Sequence, residues 1–232
     1  MSAKILSRKA LQNEEGAAPA ARYVQYPRTL HLPWSESLTA DDRMMTSLEA
    51  FVGKRVVATE KMDGENTSLY SDHTHARSLD GRGHPSRDWV KRFWSEFATD
   101  IPERWRICGE NLYAKHSIYY ENLPSYFMGF SVWNEHNECL SWDETMEWFK
   151  LLGITPVPVI YDGVFDEKVI RRLWRSRDAS KCEGYVVRLA DAFPFAEFHR
   201  SVGKFVRKNH VQTSTHWKSQ KIVPNRLAGE LM

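Results

Sequence analysis

The sequence has few cysteines, no long apolar run and no internal repeat. Its three cysteines, Cys108, Cys139 and Cys182, match neither a disulfide framework nor the paired spacing of a zinc site. We therefore expect buried, reduced thiols. The longest apolar stretch, 126–133, is far shorter than the roughly 20 residues that cross a bilayer. With no signal or transit segment apparent, these absences favour a cytoplasmic protein that makes no contact with membranes.

What is present is the composition of a soluble globular domain. Hydrophobic residues make up 42% of the 232 residues and charged residues 27%, with a mean hydropathy of −0.54, which favours one folded domain. We expect a flexible N-terminal tail over 1–22, the domain over 23–216 and a basic C-terminal tail over 217–232.

The formal net charge of +2 is unevenly distributed. Beyond residue 199 the only acidic residue is Glu230, and Trp217 lies among the basic ones. This composition favours a phosphate-rich partner, although a solvated terminal face is an equal alternative. The basic residues are Arg200, Lys204, Arg207, Lys208, Lys218, Lys221 and Arg226.

Hydrophobic periodicity predicts strands and helices in an irregular order. Ser141 and Glu144 form a capping box that opens a helix, and Asp63-Gly64 is typical of a tight turn between two strands. Hairpins and interleaved helices favour an α+β fold with mixed, mainly antiparallel sheets and flanking helices. The predicted strands are 55–61, 67–70, 74–78, 104–108, 126–133, 157–161, 184–188 and 204–207, and the predicted helices are 88–97, 141–152 and 166–174.

Lys61 stands at the end of a predicted strand, directly before the Asp63-Gly64 turn. A strand fixes the base of a side chain while the turn leaves its tip facing a cleft, so Lys61 is a candidate nucleophile. The pattern Lys-x-Asp-Gly also occurs by chance, and a solvated lysine on a surface hairpin is the alternative.

Six segments in a fixed order resemble the covalent nucleotidyltransferase superfamily of ATP-dependent ligases and mRNA capping enzymes. Within it the chain is similar to RNA ligases of the phage RNA ligase 2 type. The resemblance covers about residues 23–216 and implies a nucleotidyltransferase, ATP-grasp-like ligase domain there. The segments are 60–66 (EKMDGEN), 75–78 (HARS), 109–112 (GENL), 126–130 (YFMGF), 182–187 (CEGYVV) and 203–208 (GKFVRK).

The resemblance implies ATP and Mg²⁺ or Mn²⁺ as cofactors. Lys61 would form a phosphoramidate with AMP, Glu60 would lie beside the adenine, and Arg77 would contact the nucleotide and an incoming 5′-phosphate. The remaining roles are ribose binding by Glu110, base stacking by Phe130, metal binding by Glu183 and α-phosphate binding by Lys204.

The last motif departs from the family pattern, which places two lysines one residue apart. The residue two after Lys204 is Val206, and strand alternation turns Arg207 to the opposite face unless a bulge re-aims it. The second basic residue is therefore Arg207 or Lys208. A metal on Glu183, with Lys204 and Arg207, is expected to lower the pKa of Lys61 toward the neutral amine.

The leading hypothesis is an ATP-dependent RNA ligase that adenylylates itself, passes AMP to a 5′-phosphate RNA end and seals it to a 3′-hydroxyl. DNA ligases and capping enzymes normally carry an oligonucleotide-binding barrel after the last motif, whereas only 24 residues follow Lys208, so no C-terminal barrel is expected. A non-catalytic polynucleotide-binding module is disfavoured, since Lys61, Glu110 and Glu183 are all present. We expect a monomer acting on RNA, with a separate RNA-repair protein as a possible partner.

Four histidines in the first half of the chain lack carboxylate or cysteine company at ligand spacing. We expect no metal site among them. They are His73, His75, His84 and His116.

Overall fold

A computed structural model describes residues 22–39, 41–79, 83–175, 177–178, 180–208, 210 and 221–229. Almost all of the expected N-terminal tail lies outside the described residues, as does Trp217. No helix among the described residues is long and apolar enough to cross a bilayer. Cys108, Cys139 and Cys182 are all buried and free, as expected.

The described ranges contain twelve strands and four α-helices. The strands are β1 (Leu30–His31), β2 (Arg55–Lys61), β3 (Glu65–Leu69), β4 (Thr74–Ala76), β5 (Arg106–Asn111), β6 (Phe127–Trp133), β7 (Glu138–Cys139), β8 (Thr155–Pro156), β9 (Val159–Val164), β10 (Gly184–Leu189), β11 (Phe193–Pro194) and β12 (Val202–Val206). The helices are α1 (Asp88–Ser95), α2 (Trp142–Leu151), α3 (Glu167–Arg172) and α4 (Phe198–Ser201), and short 3₁₀ turns cover Pro85–Arg87, Ala98–Asp100 and Phe195–Glu197.

The strands form two open sheets, and only the pairs β1–β12 and β6–β8 are parallel. The first sheet has the order β1-β12-β10-β2-β9, and the second has β11-β7-β6-β5-β3-β4 with β8 beside β6. The predicted mixed, mainly antiparallel α+β fold is confirmed, and within the described ranges neither sheet closes into a barrel.

Helices cover the outer faces of both sheets. Ile170 of α3 packs with Val56, Ala58 and Tyr185 on the first sheet, and α1 and α2 pack on the second sheet around Phe149. Side chains alternate between the faces of a strand, so the opposite, inner faces of the sheets are left to form a cleft between them.

The chain crosses from one sheet to the other directly after Lys61. We predicted a tight turn joining two neighbouring strands, but β2 pairs with β9 and β10, whereas β3 pairs with β4 and β5. The residues between Lys61 and Glu65 therefore form a crossing and not a hairpin. Gly64 is needed there because a Cβ atom would lie 2.6 Å from the carbonyl oxygen of Asn111. The crossing places the end of β2 at the cleft.

Helix boundaries follow local signals where the sequence supplies them. Ser141 and Glu144 form both hydrogen bonds of the predicted capping box of α2, and Asp166 accepts from two amides at the start of α3. Asp88 is the first residue of α1, and the 3₁₀ turn Pro85–Arg87 precedes it.

Residues 221–229 pack against the body of the domain, although the sequence placed them in a separate basic tail. Asn225 is only 1% exposed. Its side chain accepts from the Tyr120 amide at 2.9 Å and donates to the Leu112 carbonyl at 2.7 Å. The described part of the predicted C-terminal tail is therefore held against the domain by buried hydrogen bonds.

Candidate active site

The cleft between the two sheets has a volume of about 840 Å³, within the range that binds cofactors and small substrates. It collects every nucleotide-binding candidate from the sequence, from six different strands and their ends. These lining residues are Glu60, Lys61, Arg77, Glu110, Phe130, Glu183 and Lys204.

Lys61 and Glu183 form an ion pair across neighbouring strands. Lys61 ends β2 and lies opposite Gly184, the first residue of β10, so Glu183 is brought alongside it. The Lys61 Nζ lies 2.6 Å from Glu183 Oε2, and the two side chains are 25% and 6% exposed. The register of β2 and β10 therefore creates this contact.

Three carboxylates surround the Lys61 ammonium group. Burial alone would lower the pKa of Lys61, but Glu183, Glu110 and Asp63 outweigh it and raise the pKa above its usual value. Negative charge thus dominates near the amine, and the lowering expected from a metal on Glu183 stays a prediction. Burial, reinforced by the other carboxylates, raises the pKa of Glu110 to about 8.

Lys204 reaches the cleft from the middle of β12, where it meets Asp42. Its Nζ lies 3.1 Å from Asp42 Oδ1, and the same oxygen lies 3.2 Å from His31 Nε2. The other carboxylate oxygen accepts from the Thr39 amide at 3.0 Å and hydroxyl at 2.8 Å. Burial lowers the pKa of Lys204, although Asp42 opposes this.

Arg207, expected to be catalytic, does not line the cleft. Its Nε donates to the Cys182 carbonyl at 3.1 Å, and its amide donates to the Glu183 carbonyl at 3.1 Å. The strand ends at Val206, which faces the cleft on the same side as Lys204. Arg207 therefore holds backbone, and the exposed Lys208 does not line the cleft either.

The remaining candidates that line the cleft are Glu60, Phe130 and Arg77, and they differ in their contacts with other side chains. The Glu60 carboxylate lies 3.3 Å from an Arg177 nitrogen. The Phe130 ring meets the Tyr26 ring edge to face at 5.3 Å between centroids. Arg77 is exposed at the rim.

Asp63 is a site residue whose role the sequence did not suggest. Its Oδ2 accepts from the Ser117 and Ile118 amides, both at 2.7 Å, so it holds the loop after β5 against the crossing. The same carboxylate faces His210 through Oδ1. Asp63 and Glu183 could hold a divalent cation, since both offer carboxylate oxygens next to each other.

Asp42 and His210 were also missed as site residues. Both lie outside the motif segments. Asp42 is far along the chain from Lys204, and His210 is far from Glu183, so no local sequence pattern indicates these contacts. The one available signal for His210 was its place among the C-terminal basic residues, whose composition favours a phosphate-rich partner.

Comparison with known proteins agrees with the fold. Residues 54–206 match the RNA ligase family. An RNA ligase from Naegleria gruberi, solved with ATP and Mn, superposes with a TM-score of 0.52 at 19% identity, covering 70% of this chain and 52% of that one. An archaeal ATP-dependent RNA ligase has a TM-score of 0.53 at 17% identity, with coverages of 78% and 48%.

A putative ATP-dependent DNA ligase from Aquifex aeolicus also shares the fold, with a TM-score of 0.50 at 20% identity and coverages of 78% and 49%. The chain spans about half the length of these structures. No curated protein matches it. Because the family match extends over more than half of the sequence, from before Lys61 to the end of β12, the chain belongs to the RNA ligase family.

Proposed function

We propose that the protein is an ATP-dependent RNA ligase that forms a lysyl-AMP intermediate on Lys61. The observation that carries the proposal is the position of Lys61, which β2 fixes in the wall of a nucleotide-sized cleft lined also by Glu110, Glu183 and Lys204. The binding of ATP and Mn by the Naegleria structure supports the same choice of cofactors.

In the first step the Lys61 nitrogen would attack the α-phosphorus of ATP. A nitrogen–phosphorus bond forms, the bond to the bridging oxygen breaks, and pyrophosphate leaves with the electron pair. Lys61 must first lose a proton, because an ammonium group has no lone pair. The neighbouring carboxylates raise the pKa of Lys61, so attack requires those carboxylates to be engaged elsewhere.

The other cleft residues would position the nucleotide. Phe130 offers a ring face to the base, and Lys204 offers a positive charge to the α-phosphate. Glu110, whose pKa of about 8 keeps it protonated near neutral pH, can donate as well as accept a hydrogen bond to a ribose hydroxyl. A divalent cation held by Glu183 and Asp63 would supply neutralisation of phosphate charge.

In the second and third steps the RNA ends would react. A 5′-phosphate oxygen attacks the phosphorus of lysyl-AMP and frees the Lys61 amine. The 3′-hydroxyl oxygen then attacks the 5′-phosphate, and AMP leaves. Arg77, which is exposed and lines the cleft, would meet the 5′-phosphate.

The test is labelling with α-³²P-ATP or α-³²P-GTP and Mg²⁺ or Mn²⁺, followed by a denaturing gel. We expect label from ATP on the wild type and none on Lys61→Ala. Lys54→Ala, an exposed lysine just before β2, is the matched control and should label normally. Undiminished labelling of Lys61→Ala would remove Lys61 as nucleophile.

The same preparation distinguishes the alternatives. Preferential labelling from GTP would indicate a capping-type enzyme, and sealing of nicked DNA in preference to RNA would indicate a DNA ligase. A wild type that binds RNA but accepts no label would indicate a non-catalytic binding module.

A further inference from the structure

Three potential metal-ligand atoms from distant parts of the chain converge beside Lys61. His210 Nε2 lies 3.4 Å from Glu183 Oε1 and 3.9 Å from Asp63 Oδ1, and the three ligand atoms lie within 4.8 Å of one another. These separations are long for N–H···O hydrogen bonds, whose heavy atoms lie about 2.7–3.2 Å apart. Two ligand atoms that each bind the same cation at about 2.1 Å lie about 3.0–3.5 Å from each other. The His210–Glu183 separation falls within this range, and the His210–Asp63 separation exceeds it by about 0.4 Å, so the three atoms lie close to the spacing of ligands on a shared cation.

The turn after β12 delivers His210 to this position. Arg207 ties the start of the turn to the backbone of Cys182 and Glu183, and the His210 amide donates to the Arg207 carbonyl at 3.4 Å. The His210 side chain is 4% exposed. Its Nδ1 has no hydrogen-bond partner in the described part of the chain. The imidazole is thus buried with its other nitrogen aimed at two carboxylates.

The local charge also favours a cation. Among the described residues, Asp63 and Glu183 share one ammonium group, that of Lys61, which binds Glu183 through Oε2. Oε1 is left facing His210. Buried carboxylates are costly unless they are paired or coordinate a metal.

We propose that His210 is a third ligand, with Asp63 and Glu183, of a divalent metal, and that its nitrogen gives the site a preference for transition metals such as Mn²⁺ and Co²⁺ over Mg²⁺. Mg²⁺ takes oxygen ligands, whereas imidazole suits first-row transition metals. The inference deepens the proposed function, because the metal would lie beside Lys61. Metal binding is nevertheless measurable without nucleotide or RNA.

The test titrates the full chain, freed of metal by chelation, with Co²⁺ while its visible absorption is recorded, and then competes the bound Co²⁺ with Mg²⁺. We expect one Co²⁺ per chain at this site, and an affinity for Mg²⁺ at least about tenfold lower. His210→Gln should lower the Co²⁺ affinity at least about tenfold and change the Mg²⁺ affinity less than about threefold. His199→Gln, an exposed histidine on α4, is the control and should bind Co²⁺ like the wild type.

A second variant tests the metal preference without relying on a loss of metal binding. His210→Asp replaces nitrogen by oxygen, so Mg²⁺ should bind at least as well as before and the advantage of Co²⁺ should fall. Unchanged Co²⁺ affinity in His210→Gln, or an undiminished Co²⁺ preference in His210→Asp, would overturn the inference.

Labelling of Lys61 in the same samples separates the two proposals. Normal labelling with Co²⁺ binding independent of His210 would contradict only the metal ligand. Co²⁺ binding that depends on His210, in a wild type that takes no label from ATP, would contradict only the proposed function.

Discussion

Asp42 shows how one side chain from outside the recognised motifs organises a motif residue. It lies before the family match begins at residue 54, yet it binds Lys204, His31 and Thr39. Burial would raise the pKa of Asp42, but the Thr39 donors and Lys204 hold it well below its usual range. We infer that Asp42 positions the Lys204 ammonium group.

We expect Asp42→Asn to lower the free energy of unfolding by about 1–3 kcal/mol at pH 7, because buried donors lose a charged acceptor. A depressed carboxyl pKa stabilises the folded state above the unfolded pKa of about 3.9, and this contribution disappears as pH falls toward the folded value. Urea unfolding of variant and wild type should therefore differ equally at pH 7 and pH 5, and less below about pH 4. The exposed Asp41→Asn is the control; an equal loss in both variants would contradict the role of Asp42.

Glu110 should show the opposite dependence on pH. The folded protein holds its proton more tightly than the unfolded chain, since the pKa rises from 4.5 to about 8. Stability should therefore be lost as pH rises through that window. We expect the unfolding free energy of Glu110→Gln, relative to the wild type, to increase by at least about 1 kcal/mol between pH 5 and pH 8. Glu121→Gln, at an exposed position, should show no such trend, and a flat difference for Glu110→Gln would refute the raised pKa.

At the scale of elements, the pairing of β10 with β2 and β12 holds the reactive groups together. Gly184 pairs with Lys61 on one side and with Val206 on the other. A Cβ atom at this position would overlap the carbonyl oxygen of Phe205. The strand therefore needs glycine for close approach to β12, and not for an unusual backbone angle.

We expect Gly184→Ala to destabilise the protein by about 2–4 kcal/mol, because β10 and β12 must separate. Labelling of Lys61 should fall as Glu183 moves with the strand end. Thermal unfolding and α-³²P-ATP labelling measure the two effects. Gly83→Ala is the matched control, since its added Cβ meets nothing within 4 Å; similar behaviour of the two variants would show that the close approach is unimportant.

At the scale of the whole molecule, the C-terminal segment supports the cleft. Asn225 binds the Tyr120 amide, and the Tyr120 hydroxyl accepts from the Asp63 amide at 3.0 Å. Asn225→Ala should cost about 2–4 kcal/mol, because the buried Leu112 carbonyl and Tyr120 amide lose their partners. Denaturant unfolding measures the loss, and Val223→Ala, exposed at 48%, should be near neutral. Equal stabilities would mean that the segment only rests on the surface.

The exposed basic residues lead us to expect salt-dependent binding of RNA. Lys208 and Lys221 are exposed, whereas Lys204 and Arg207 are engaged by the cleft and the backbone. Phosphate contacts are salt-dependent and carry no sequence information. We expect binding of single-stranded RNA to weaken about tenfold or more between 50 and 200 mM salt, and the double variant Lys208→Glu, Lys221→Glu to flatten that dependence. Lys150→Glu on the exposed side of α2 is the control, and an unchanged salt slope in the double variant would place the RNA elsewhere.

Local periodicity and spacing in the sequence were enough to predict several elements and site residues. Strand β2 and the capping box of α2 follow from residues within a few positions of one another, and the ordered motifs predicted seven side chains that now line the cleft. Three features became visible only in the tertiary structure. The chain crosses between the sheets after Lys61, Arg207 binds backbone atoms, and His210 faces Glu183. The physical reason is distance along the chain: these contacts, and the raised pKa of Lys61, depend on charges and donors within a few ångströms whose residues lie tens to more than a hundred positions apart.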